Sequence, residues 1–237
     1  MDVDSRQARV TAHDAGAMTI GTVSDRIRRV PKLRIRSVQD PVATPGAARA
    51  AVEVLKLMDA MGLMEAGKDI EVLDLEIVRA MAQRAAGAGI GESAAVALRT
   101  RTRPQSEQVE AVLESLRRAL EASPVPEFEW PSLIELFGAE QLAGLVGVSV
   151  ASLRRYAGGG RPTPDPVAAR LHLLAQLTAD LRGAYSEVGV RRWFERKRTQ
   201  LDGLAPRDIL KGDWEPDATG PQEVRALTRS LAGASAT

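Results

Sequence analysis

The 237-residue chain has no cysteine, only two histidines and few aromatic residues, which make up 3% of the sequence. Without cysteine it forms no disulfide bond and has no thiolate nucleophile, and two histidines cannot build a His/Cys metal cluster. The spacing of a phosphate-binding loop is also missing. We therefore expect a protein that is not an enzyme and has no catalytic residue, cofactor or metal site.

Long apolar runs are missing as well. No stretch approaches the roughly 20 apolar residues that a membrane-spanning helix needs. Residues 1–18 lack the apolar segment of a secretory signal. We therefore expect a cytoplasmic protein with no membrane association.

The residues that are present favour helices. Hydrophobic residues make up 44% of the chain and charged residues 27%, as in folded domains, and alanine is abundant. These features predict an all-α helical bundle. Residues 31–41, PKLRIRSVQDP, alternate apolar and basic residues between two prolines, so this segment forms either a short strand or an extended arm.

Apolar residues recur at helical spacing in three segments of the N-terminal half. The first covers 44–62 and the third covers 106–122. The second, 70–81, also has helical spacing, although Val72 and Leu75 leave its first half ambiguous.

A cluster of three prolines within residues 124–131 predicts an interruption between two domains, because proline cannot continue a helix. The predicted division is a disordered tail and basic arm over 1–40, a helical domain over 41–122, a linker over 123–131, a helix-turn-helix over 132–165 and a second helical domain over 166–237.

The segment AEQLAGLVGVSVASLRRYAGG, residues 139–159, has the pattern of a helix-turn-helix. A first helix over 139–146 is followed by Gly147, which tolerates the positive φ of a tight turn, and Ser149 is placed to cap the second helix. The outer N-terminal part of such a second helix enters the major groove, where serine and arginine bind base edges and phosphates. The candidate DNA-binding residues are Ser149, Ser152, Arg154, Arg155 and Arg161.

This helix-turn-helix is followed by GVRRWFERKRTQLDGLAPRDILKGDW and a final PQEVRALTRSLAGA. The order of these elements, over about residues 137–234, resembles the Xre/MbcA/ParS-type antitoxins of type II toxin-antitoxin systems. The resemblance implies an Xre-like DNA-binding region joined to an MbcA/ParS-like toxin-binding domain. It further implies a homodimeric repressor that binds the double-stranded operator DNA of its own operon. The same resemblance implies that the protein neutralises a cognate toxin of the RES-domain or PIN-domain type.

The C-terminal region also contains apolar residues that can be presented to a toxin, since aromatic side chains are favoured anchors of interfaces. The candidate toxin-binding residues are Trp193, Leu210, Trp214, Leu227 and Leu231. The alternative is that these residues fill the core, which we favour for Trp193 and leave open for Trp214.

Basic residues are concentrated in two places. Residues 1–36 contain eight basic and four acidic residues, and residues 191–198 contain five basic residues and one acidic residue. We expect both to be solvated faces, with DNA contact by residues 26–36 as the alternative.

Three other functions are compatible with the sequence. The first is a helix-turn-helix transcription regulator without a toxin, and the second is a helical scaffold without DNA binding. The third is an enzyme built on carboxylates, since Asp and Glu are plentiful.

Overall fold

The computed structural model describes residues 33–64 and 70–234. Over these ranges the chain is mostly helical, with eleven α-helices and one short sheet of two strands, which confirms the all-α fold class. The elements are β1 (Leu33–Val38), α1 (Pro45–Ala60), β2 (Ile70–Leu73), α2 (Leu75–Gly87), α3 (Glu92–Thr100), α4 (Ser106–Glu121), α5 (Pro126–Phe137), α6 (Ala139–Val146), α7 (Val150–Ala157), α8 (Asp165–Leu181), α9 (Glu187–Glu195), a 3₁₀ turn (Thr199–Leu201), α10 (Pro206–Ile209) and α11 (Thr219–Ala234). Residues 1–32 of the tail and basic arm predicted over 1–40 lie outside the described residues.

The sheet resolves two predictions that the sequence left open. Residues 33–38 form a strand, and it pairs in parallel with β2, with Ser37 opposite Val72. Residues 70–73 are therefore a strand and not the start of a helix. Helix α2 begins only after Asp74, whose carboxylate accepts a hydrogen bond from the Ile77 N–H at 2.9 Å and so caps the new helix.

The predicted linker over 123–131 is mostly helix, because α5 begins at Pro126 and continues through Pro131. Pro126 lies in the first turn, where its missing N–H is not needed. Glu129 and Trp130 of this segment are buried, so it contributes to the core. The core is continuous on both sides of it, since α1 packs against both α4 and α8.

Helix α8 lies at the centre of the fold and contacts α1, α5, α6 and α11. The residues from Leu171 to Ala179 are all buried. His172 and Gln176 each donate a side-chain N–H to the carbonyl of Glu121 at the end of α4, at 3.0 and 2.9 Å. Four leucines of α8 are fully buried: Leu171, Leu174, Leu177 and Leu181.

The second hydrogen bond of His172 joins α8 to α5. Its Nδ1 lies 2.5 Å from a carboxylate oxygen of Glu129, and burial raises the pKa of the Glu129 carboxyl. His172 is thus packed between α4 and α5, and the described residues contain no group of three His, Asp or Glu that could hold a metal ion. None of the described helices is long and apolar enough to cross a membrane.

Candidate nucleic-acid interface

Helices α6 and α7 are short and are joined by the glycine turn that the sequence predicts. Gly147 ends α6 with φ +77°, and its N–H and that of Val148 both bond to the carbonyl of Ala143. Ser149 then caps α7, accepting a hydrogen bond at 3.1 Å from the N–H of Ser152. The bounds of the first helix, the turn glycine and the capping serine are all as predicted.

The turn is tightly packed against residues 211–215, the segment between α10 and α11. A Cβ added at Gly147 would lie 1.8 Å from the carbonyl oxygen of Gly212. Glycine is therefore required at this position both for its positive φ and for its lack of a side chain. The close approach fixes the turn against the C-terminal part of the fold.

Two side chains satisfy the carbonyls at the end of α6, which have no partners within a helix. The Trp214 indole N–H donates to the carbonyl of Leu145 at 2.9 Å, and Arg170 Nη1 donates to the carbonyl of Val146 at 3.3 Å. Because both donors are buried, the end of α6 is held by side chains that are themselves fixed in the core.

Arg170 links these two parts of the site. It extends from α8, is 3% exposed, and donates through Nε to the carbonyl of Trp214 at 2.5 Å. It also forms an ion pair with Asp213, and its guanidinium carbon lies 5.9 Å from the centre of the Trp214 ring. The orientation of α6 is thus determined by α8 and by the 211–215 segment together.

Helix α7 is held along one side only. Leu153 is buried, and Tyr156 stacks on Trp130 of α5 with a centroid distance of 6.2 Å. The Trp130 indole N–H donates to the hydroxyl of Thr163, in the loop after α7, at 3.0 Å. The opposite side of α7 remains accessible to a partner.

All five candidate DNA-binding residues lie on or next to this accessible side. Arg154, Arg155 and Arg161 are exposed, and none of them forms an ion pair with any of the described residues. The Ser149 hydroxyl is already engaged as the cap, and Arg155 donates to the Ser152 hydroxyl at 3.4 Å. The arginines therefore supply the uncompensated charge of this surface.

The candidate toxin-binding residues do not form the expected exposed patch. Trp193 is 1% exposed, Leu210 is fully buried and Trp214 is 7% exposed, while Leu227 and Leu231 are half-buried against the core. The reason is packing. The ring of Trp193 lies edge-to-face with Phe194, with centroids 5.2 Å apart.

The supporting residues Arg170 and Trp130 were not singled out from the sequence. The only signal for Arg170 was a charged residue beside the apolar residues of α8. Nothing in the sequence indicated that it would reach the end of α6.

Comparisons with known proteins identify no relative. The chain matches no protein-family model, no curated protein and no solved structure. The structural features that bear on function are therefore the positions of α6 and α7 and the side chains that these helices expose.

Proposed function

We propose that this chain is a transcription regulator that binds double-stranded DNA by placing α7 in the major groove. The observation that carries the proposal is the asymmetry of α7: one side is fixed by Leu153 and Tyr156, and the other presents Arg154 and Arg155 without ion-pair partners among the described residues. An α-helix fits the major groove of B-DNA, and arginine binds guanine there through two parallel hydrogen bonds.

The other candidate residues have supporting roles in this proposal. Arg161 follows the glycine turn after α7 and would bind a phosphate, and Ser152 would bind a base edge or a phosphate. In a homodimer, two copies of α7 would read half-sites about 34 Å apart on a palindromic operator. Repression of its own operon is the activity that such binding would produce.

The antitoxin activity stays a prediction of the resemblance. The burial of Trp193, Leu210 and Trp214 gives it no support, and of the five candidate residues only Leu227 and Leu231 are half-buried. Its test is co-expression with the product of the adjacent gene. Rescue of growth together with a co-purified complex would support an antitoxin. A harmless neighbour would favour a regulator without a toxin.

The DNA-binding proposal is tested with the full chain against the DNA upstream of its own gene and against a pool of random duplexes. Fluorescence anisotropy at 50 and 200 mM salt measures affinity. The test variant is Arg154→Ala/Arg155→Ala. The matched control is Arg99→Ala/Arg103→Ala, which removes two exposed arginines near α3.

Wild type and control should bind a preferred duplex in a salt-sensitive manner. For the test variant, the ratio of the affinity for that duplex to the affinity for the pool should fall by at least about thirtyfold. The reason is that each arginine-guanine pair contributes about 1–3 kcal/mol of discrimination. If the wild type binds neither the upstream DNA nor any duplex selected from the pool, the proposal is wrong.

A further inference from the structure

The basic residues near the end of α9 lie next to the helix-turn-helix. Gln141 of α6 donates a side-chain N–H to the carbonyl of Arg191 at 3.4 Å, and Arg191 Nη1 donates to the carbonyl of Leu136 at 3.2 Å. Phe194 packs edge-to-face on Phe137, with ring centroids 5.2 Å apart. The second half of α9 is therefore fixed against the corner where α5 ends and α6 begins.

Three side chains at this corner carry exposed positive charge: Arg192, Arg196 and Lys197, which we call the α9 basic edge. None of the three has an ion-pair or hydrogen-bond partner among the residues that the structure describes. One acidic residue, Glu195, lies between them in sequence. Its carboxylate is 4.0 Å from Nη1 of Arg207, so Arg207 offsets the negative charge of Glu195. Arg192 lies in the last turn of α9, and Arg196, in extended backbone, and Lys197 follow directly after its end, so the three charges lie within six residues of the chain.

We infer that the α9 basic edge is a second DNA contact, which binds the phosphate backbone beside the half-site that α7 reads. In a helix-turn-helix complex the first helix crosses the backbone while the second enters the groove. In this chain the first helix is α6, and α9 is held against its beginning through Gln141. Cations beside the first helix therefore contact phosphates and not base edges. Such contacts increase affinity and fix the position of the protein along the DNA, but they do not recognise sequence.

This inference rests on the proposed DNA binding by α7, and the two make different predictions for variants. The test variant is Arg192→Ala/Arg196→Ala/Lys197→Ala in the full chain. Its control, Arg99→Ala/Arg103→Ala/Arg118→Ala, removes the same charge from exposed positions on and near α3 and α4. A second variant, Arg192→Lys/Arg196→Lys/Lys197→Arg, retains the charge.

The measurement is the dissociation constant for a preferred and an unrelated duplex between 50 and 300 mM salt. Each phosphate contact contributes about 0.9 to the slope of log affinity against log salt, so loss of three contacts lowers the slope by about 2.7. At 0.15 M salt this corresponds to roughly hundredfold weaker binding. The loss should be equal for the two duplexes, and the control and the charge-retaining variant should bind as the wild type does.

Each other result has a definite meaning. If the wild type binds DNA, the α7 variant loses discrimination and the α9 variant keeps the wild-type slope, the α9 inference is wrong and the proposed function stands. If the α9 variant weakens only the preferred duplex, the edge reads bases and the assignment to phosphates is overturned. If the wild type binds no DNA, both proposals fail together.

Discussion

Replacement of Trp214 tests whether this residue supports the helix-turn-helix or belongs to a partner surface. Trp214→Phe retains most of the ring but removes the indole N–H that bonds the carbonyl of Leu145. Trp214→Ala removes the ring as well, together with its contact with the Arg170 guanidinium.

The expected magnitudes follow from burial. A buried acceptor left without its donor costs about 1–3 kcal/mol, so Trp214→Phe should lower the free energy of unfolding by about that amount. Truncation of a buried aromatic ring costs about 3–5 kcal/mol. For a chain of this size, the Trp214→Ala change should lower Tm by about 10 °C.

The assay is thermal and urea unfolding followed by circular dichroism, with Phe128→Ala as the control. Phe128 is also aromatic and lies on α5, but it is 37% exposed and should cost less than Trp214. If Trp214→Ala unfolds within about 1 kcal/mol of the wild type, the ring is not part of the core. Trp214 would then have to be reassigned from the support of α6 to contact with a partner.

Two further predictions concern stability. In urea unfolding, Gly147→Ala should destabilise the chain by several kcal/mol more than Gly203→Ala. Both glycines have positive φ, but only Gly147 faces a backbone carbonyl that leaves no room for a Cβ. Equal losses of unfolding free energy for the two variants would contradict this packing. Burial raises the pKa of the Asp180 carboxyl, which accepts a hydrogen bond from Thr228. With a raised folded-state pKa, the wild-type protein is most stable when the carboxyl is protonated at low pH, and it loses stability as pH rises through that pKa. Asp180→Asn lacks this titration, so its stability relative to the wild type should increase between pH 3 and pH 7. A pH-independent difference between the two proteins would mean that folding leaves the pKa of Asp180 unchanged.

The helix-turn-helix was predictable from the sequence because its determinants are local. A glycine is needed where the chain takes a positive φ, and a serine at the start of α7 bonds an N–H three residues on. Both Gly147 and Ser149 act within a few residues of their own positions, so a short window of sequence contains all the information required.

The features that the sequence did not reveal depend on residues far apart in the chain. Residues 70–73 became a strand because β1, more than thirty residues earlier, offers a parallel partner. Trp214 was equally compatible with a partner surface and with the core until Leu145, 69 residues away, was seen to accept its hydrogen bond. Spacing patterns do not contain such pairings.

The position of α8 at the centre of the fold has a consequence for the order of events during synthesis. The ribosome makes α6 and α7 before α8, and it makes α8 before α11, which covers part of its surface. The Arg170 and Trp214 donors that hold α6 are both available only after Trp214 has been made, and an apolar side of α8 stays uncovered until α11 follows. The α6–α7 pair is therefore translated before the groups that fix its orientation, and it acquires that orientation only when α8 and the 211–215 segment have docked.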